Sequence, residues 1–273
     1  MLRHRYRRTH MMLTVLFGGF LMLIYSPMFS VFILSFQGER GGLTFPLRGV
    51  SLHWFRSLFV EQQLAGNIWA ALQRSLVLAI VVAVVTLIVA FLAGLAFRRP
   101  FRGANLLFQV TIASLVTPSI LVSLGIGILF TTLGLPKGLL SSGLGAHLTW
   151  TLPVGVLVMF SVFARFDRRL EEAATDAGAG GWGRVREILV PILAPSLLGV
   201  ALLGLTLSYD EFSRSVLVMG AANTLPLELF AMTTNITTPA IYALGTVTTL
   251  FSLAVLSAGG GAIALLRKRQ IGS

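Results

Sequence analysis

The sequence predicts an all-α, polytopic membrane protein with six spanning helices, on three observations. Hydrophobic residues make up 55% of the 273-residue chain, charged residues only 11%, and the mean hydropathy is +0.86; a soluble domain carries about 25% charged residues. Six apolar runs approach the roughly 20 residues that a helix needs to cross a bilayer. Between two of these runs, residues 170–195 read LEEAATDAGAGGWGRVREILVPILAP, a charged, glycine-rich interruption.

The runs lie at 11–36, 75–97, 106–133, 145–163, 192–209 and 241–266, and are read as one transmembrane domain over 1–273. The fifth, at about 18 residues, sits near the lower limit for a span. Arg3, Arg5, Arg7 and Arg8 precede the first run and resemble the basic start of a signal peptide. That run is about 26 residues against 7–15 for a signal core, and no A-x-A-like site follows, so an uncleaved span is expected. Small residues recur inside the runs (Ala90 and Gly94, Gly125 and Gly127, Ala258 to Ala262 around Gly259–Gly261) and favour close helix packing. Pro27, Pro118 and Pro153 are expected to kink or interrupt their spans. The longest polar stretch, 37–74, holds Leu52, Phe55, Leu58 and Phe59 at helical spacing beside Trp54 and Arg56. It fits either a short helix lying in the interface or a loop anchored by its aromatics.

The basic residues orient the spans. With both termini inside, the cytoplasmic side holds Arg3, Arg5, Arg7, Arg8, Arg98, Arg99, Arg102, Arg165, Arg168, Arg169, Arg184, Arg186, Arg267, Lys268 and Arg269. The opposite side holds Arg40, Arg48, Arg56, Arg74, Lys137 and Arg214. Fifteen against six favours N-in, C-in and puts residues 164–191 in the cytosol. Because these residues flank apolar runs, the net charge of +11 speaks for anionic lipid and orientation rather than for nucleic acid.

Several function classes are excluded or disfavoured. The chain has no cysteine, which removes disulfides and thiolate metal sites, and His4, His10, His53 and His147 have no ligand spacing. No GxxxxGK[ST], GxSxG or HExxH occurs, so nucleotide binding of the Walker kind and hydrolase chemistry have no support. The span interiors contain no Asp, Glu, Lys or Arg. An ion-coupled carrier, the rival reading, usually needs such groups; energy is therefore expected to enter from outside the membrane.

Residues 170–175 favour helix, with Glu171 and Glu172 in the first turn where carboxylates suit the positive end of the dipole. Gly178, Gly180, Gly181 and Gly183 permit a sharp turn, and residues 184–190 can resume a helix until Pro191 stops it. Two short helices at an angle would make a rigid foot between spans.

That foot resembles the EAA loop of ABC-importer permeases, the type I or MetI-like superfamily, on Glu172-Ala173-Ala174, Asp176, Gly178-Ala179, Ile188 and Pro191, with Glu171 beside them. Outside it, Ser51-Leu52-His53-Trp54-Phe55, Ser75-Leu76, Thr117-Pro118, Ala146-His147, Leu152-Pro153, Phe166-Asp167, 207–212 (LSYDEF) and 224–227 (TLPL) are similar to the second permease of spermidine/putrescine importers, whose relatives also carry iron(III), thiamine or phosphonates. Ala177 departs from a usual leucine, Gly181 from a frequent proline, Val185 from a common aromatic, and Arg74 from an asparagine. The resemblance implies a bacterial inner-membrane subunit that forms half of a solute pathway and is itself no enzyme. It further implies two cytosolic ATPase subunits holding ATP and magnesium, a second permease, for which it favours a different chain over a copy of this one, and an extracytoplasmic solute-binding protein. This chain would bind no cofactor and no metal.

The substrate is least legible. Tyr209, Asp210, Glu211 and Phe212 lie at the outer end of the fifth span, and Glu228 follows in the next outside loop. Carboxylates with aromatics suit an ammonium, which fits a polyamine, with an anion or a metal chelate as the alternative. Arg214 is placed to neutralise Asp210 or Glu211, and adjacent helical residues diverge by about 100°, so only one of the pair is expected to face a pore.

Overall fold

The structure, a computed structural model, describes residues 2–61, 68–235 and 238–271. Among the described residues the architecture is helical: α1 (Leu2–Leu34), α2 (His53–Arg56), α3 (Ile68–Phe97), α4 (Ala104–Val116), α5 (Ser119–Thr132), α6 (Leu144–Ala164), α7 (Arg169–Asp176), α8 (Gly181–Gly183), α9 (Val190–Tyr209), α10 (Leu225–Asn235) and α11 (Ala240–Ile271). Among the described residues five stretches are long and apolar enough to cross a membrane, namely His10–Leu34, Ile68–Phe97, Leu139–Ala164, Gly181–Tyr209 and Ala240–Lys268. A sixth exists if α4 and α5 together make one broken crossing.

One feature sharpens the sequence expectation, the interruption at Pro118, and another overturns it. Residues 106–133 are not one straight helix: α4 and α5 meet at 106° across Thr117-Pro118. Thr117 is extended (ψ 127°), as the residue before a proline prefers, so the helical ladder ends there. Pro191, conversely, does not stop a helix. It lies in the first turn of α9, and helix runs from Gly181 to Tyr209 without a break. A proline ring collides with the carbonyl four residues back, and the wider π-helical winding of Arg184–Leu189 carries that carbonyl aside.

The chain divides into two compact units. One comprises the described parts of Met1–Gly66 with Ala231–Phe251. In it, buried Gln37 organises the loop after α1: its Oε1 accepts from the Arg48 backbone N–H at 2.7 Å and its amide donates to the Gly42 carbonyl at 3.1 Å. The Tyr242 hydroxyl donates to the Leu43 carbonyl at 2.6 Å. The helical alternative holds for residues 53–61: α2 continues into a π-helical turn, Ser57–Glu61, with Trp54 and Leu58 buried and Leu52 and Phe59 exposed. Residues 62–67 of the 37–74 stretch lie outside the described residues. Along α1 the large apolar side chains are exposed from Met11 to Ile33, a surface suited to lipid tails or another subunit rather than water.

The other unit comprises Asn67–Phe230 with the described part of Ser252–Ser273, and is built on α3, α6 and α9 packed against one another. Its core joins Ala90, Val156, Met159, Phe163, Leu189, Leu193 and Val200. Small residues set the spacing. A Cβ on Gly94 would come within 2.6 Å of the Phe163 ring, and one on Gly204 within 3.1 Å of the Ala83 backbone. Thr86 donates to Thr151 at 2.8 Å between α3 and α6, a polar pair set within this apolar packing.

Candidate functional site

Two polar regions lie at opposite ends of the Gly181–Tyr209 helix, and both belong to the second unit. The first is the foot. The Asp167 carboxylate accepts from the Arg169 N–H at 3.0 Å and starts α7, whose first turn holds Glu171 and Glu172. The helix ends in a Schellman turn. Gly178 takes φ 89°, its N–H donates to the Thr175 carbonyl at 2.9 Å, and the Ala179 N–H donates to the Ala174 carbonyl at 2.9 Å. Nothing lies within 4 Å of a Cβ at Gly178, so backbone conformation alone requires glycine there.

The two glutamates have different tasks. Glu171 pairs with Arg98 at the end of α3, and the Arg98 guanidinium lies over Phe163 at 5.3 Å and Phe166 at 5.6 Å. This fastens α7 to the span bundle. Glu172 is exposed, as are Ala173 and Asp176; Ala174, Ala179 and Ile188 are half-buried, and Pro191 is exposed. Thr175 receives a 3.0 Å hydrogen bond from Arg184, which closes the foot on itself, and Leu189, 1% exposed, seats its far end in the core. The exposed face also carries Trp182 (74% exposed) and Leu170. Sequence reasoning passed over Trp182, though a lone aromatic in a polar glycine-rich segment was its signal.

The second region is a buried polar network at the carboxyl end of α9. Arg214, only 2% exposed, pairs with Glu211 at 3.3 Å and donates to Ser119 at 2.8 Å and Thr149 at 3.3 Å. Its guanidinium lies 5.0 Å from the Trp150 ring. Glu211 also accepts from the Arg214 N–H at 3.0 Å. His147, 1% exposed, bridges Ser208 (2.8 Å) and Ser215 (2.9 Å). Since the Ser215 hydroxyl donates to the Glu211 carbonyl, it accepts from His147 Nε2–H, which leaves Nδ1 to accept from Ser208. The loop after α9 is thereby tied to α5 and α6.

The four residues singled out from the sequence therefore separate. Tyr209 is buried, Phe212 packs 5.0 Å from Phe230, and Glu211 is taken by Arg214. Asp210 remains exposed at the end of α9, where partial desolvation raises its pKa above the ordinary carboxylate value. Glu228 opens α10 and accepts from the Asn223 amide at 2.9 Å. Among the described residues no cluster of His, Asp or Glu is arranged to hold a metal.

No family model matches the chain. Among curated proteins it is 32% identical to the spermidine/putrescine transport system permease protein PotC of Haemophilus influenzae, over 85% of this chain and 89% of that one. It is 30% identical to PotC of Escherichia coli, over 88% and 91%. To the putrescine transport system permease protein PotI of Escherichia coli it is 32% identical, over 86% and 84%. Among solved structures, a bacterial ABC transporter involved in alginate import aligns over 95% of this chain and 96% of its own, with a TM-score of 0.73 at 13% identity. The MetNI methionine ABC transporter aligns over 74% and 96%, with a TM-score of 0.58 at 15% identity. The fold is that of an ABC-transporter permease, and the chain belongs to the family of spermidine/putrescine transport system permeases, as a membrane-spanning permease subunit.

Proposed function

We propose that this permease forms half of the pathway of a polyamine importer and is driven through residues 164–191 by a separate ATPase. The observation that carries the reading is the unbroken Gly181–Tyr209 helix. It begins in the foot and ends beside Asp210, so the foot and the carboxylate end are parts of one continuous helix. Trp182, Leu170 and Glu172 form the exposed face for the ATPase, with Glu171, Ala173, Ala174, Asp176, Gly178, Ala179, Ile188 and Pro191 shaping the element behind it. ATP and magnesium belong to that partner. The complete importer contains two such ATPase subunits, a second permease of different sequence and an extracytoplasmic solute-binding protein, in a bacterial inner membrane with both termini inside.

Asp210 is the carboxylate that meets a cationic substrate, because Glu211 is already neutralised by Arg214. The names of the relatives and the chemistry of an exposed carboxylate support an ammonium. Uptake of labelled spermidine and putrescine at matched expression tests this. Asp210→Asn is expected to lower uptake several-fold while leaving assembly intact, and unchanged uptake would remove Asp210 from the path. Glu211→Gln is expected to act on folding more than on transport. The raised pKa adds a sign. Asp210 regains its proton at a higher pH than an ordinary carboxylate, so acidification weakens uptake early in the wild type and leaves the Asn variant flat.

A further inference from the structure

The end of α3 and the foot enclose a cavity of about 470 Å³, within the usual size of a small-ligand site. Arg98, Arg99, Arg168 and Arg184 line it, with Glu171 and Glu172 as the acidic members, which leaves an excess of two positive charges (four minus two). The pairing inside is incomplete. Glu171 takes one end of the Arg98 guanidinium, yet Arg98 Nε is buried with no hydrogen-bond partner. Arg168 donates to the Arg98 carbonyl at 3.1 Å and Arg184 to Thr175 at 3.0 Å, one donor of each fork. Arg99 is exposed at the rim. A guanidinium presents five N–H groups, so most of the donors around this cavity have no protein acceptor that answers them.

The geometry points to a binding site for a phosphate anion in this cavity, held by Arg99, Arg168 and Arg184 with Arg98 behind them. Planar guanidinium forks match phosphate oxygens in pairs, and basic pockets at span ends are suited to anionic lipid headgroups. Such an anion would bridge the end of α3 to both limbs of the foot and offset the charge that Glu171 and Glu172 leave uncompensated. The site stands on its own charges and donors. Only its assignment to the cytosolic side rests on the orientation proposed above, and binding in detergent does not depend on that orientation.

Phosphate chemistry has two sources, a phospholipid headgroup or a soluble phosphate, and two probes separate them. The full chain, purified in neutral detergent and stripped of lipid, is offered phosphatidylglycerol or phosphatidylcholine and the retained lipid counted by native mass spectrometry. Inorganic phosphate is titrated in parallel against the thermal midpoint. The wild type is expected to retain phosphatidylglycerol about tenfold better than phosphatidylcholine, a preference that Arg99→Gln/Arg184→Gln abolishes. The charge-matched control Arg102→Gln/Arg169→Gln, outside the cavity, is expected to keep it. Arg99→Gln alone, at an exposed rim residue, serves if the double variant melts early without ligand. Saturable stabilisation by inorganic phosphate, lost in the cavity variants but without lipid preference, supports the site and names a soluble anion as its occupant. Equal loss in the control, or no difference between wild type and cavity variants with either probe, overturns the assignment.

Discussion

The Gly181–Tyr209 helix has ends of opposite character, roughly 40 Å apart at 1.5 Å per residue. At its carboxyl end, Arg214 and His147 are almost wholly buried, and their partners come from α5, α6 and α9. At its amino end, Glu172, Asp176 and Trp182 are exposed, and the hydrogen bonds are mostly local, closed by a glycine turn. A buried charge network is stable only when complete, since one missing member leaves another charge without water or partner. An exposed local element has little to lose inside its own chain and keeps its polar and aromatic groups available for another. The first end is therefore built to hold its shape, and the second, on the function proposed above, to be gripped.

That contrast makes its strongest claim at Arg214. Arg214→Ala strands Glu211 and is expected to destabilise the purified chain by about 3–5 kcal/mol, read as a lowered thermal midpoint or loss of folded protein. A midpoint unchanged from wild type would show that the network does not hold that end. His147→Phe, which leaves Ser208 and Ser215 without their bridge, is expected to cost about 1–3 kcal/mol in the same assay.

At the gripped end the expected losses fall on association and coupling rather than on folding. Trp182→Ala is expected to weaken ATPase binding by about 2 kcal/mol or more, as a truncated aromatic hot spot does, with the thermal midpoint of the isolated chain unmoved. Normal ATPase binding by that variant would direct the search to Leu170 and Glu172. Single cysteines are readily placed because the chain has none. Cys at Gly181 is expected to react only from the cytosol and Cys at Gly42 only from outside; both positions have room for a Cβ. Reversed labelling would invert the orientation and put the gripped end on the wrong side for an ATPase.

The two ends also differ in how far the sequence disclosed them. The foot was legible because its determinants are local: two glutamates in a first turn, and Gly178 where a positive φ closes a Schellman turn. Its exit was misread. Proline alone argues for a stop, but continuation of the helix depends on Leu189 and Leu193 seating in a core made by α3 and α6, which no local pattern reports. At the other end only the pairing of Glu211 with Arg214, three residues apart, was within reach. Ser119 and Thr149 stand 95 and 65 residues from Arg214, and nothing in their surroundings marks them as its partners. The break at Pro118 lies between: the proline was seen, yet a bend of 106° depends on where α4 and α5 pack.

The claim that residues 164–191 transmit the work of the ATPase is tested most directly at Gly178 and Glu172. Valine at φ 89° costs about 1–2 kcal/mol locally and distorts the turn without touching the span core. Glu172→Lys reverses an exposed charge. With the complete transporter in proteoliposomes, ATP hydrolysis and polyamine uptake are measured together. Gly178→Val and Glu172→Lys are expected to insert normally and to lose uptake per ATP hydrolysed; wild-type uptake and hydrolysis in both variants would contradict the account.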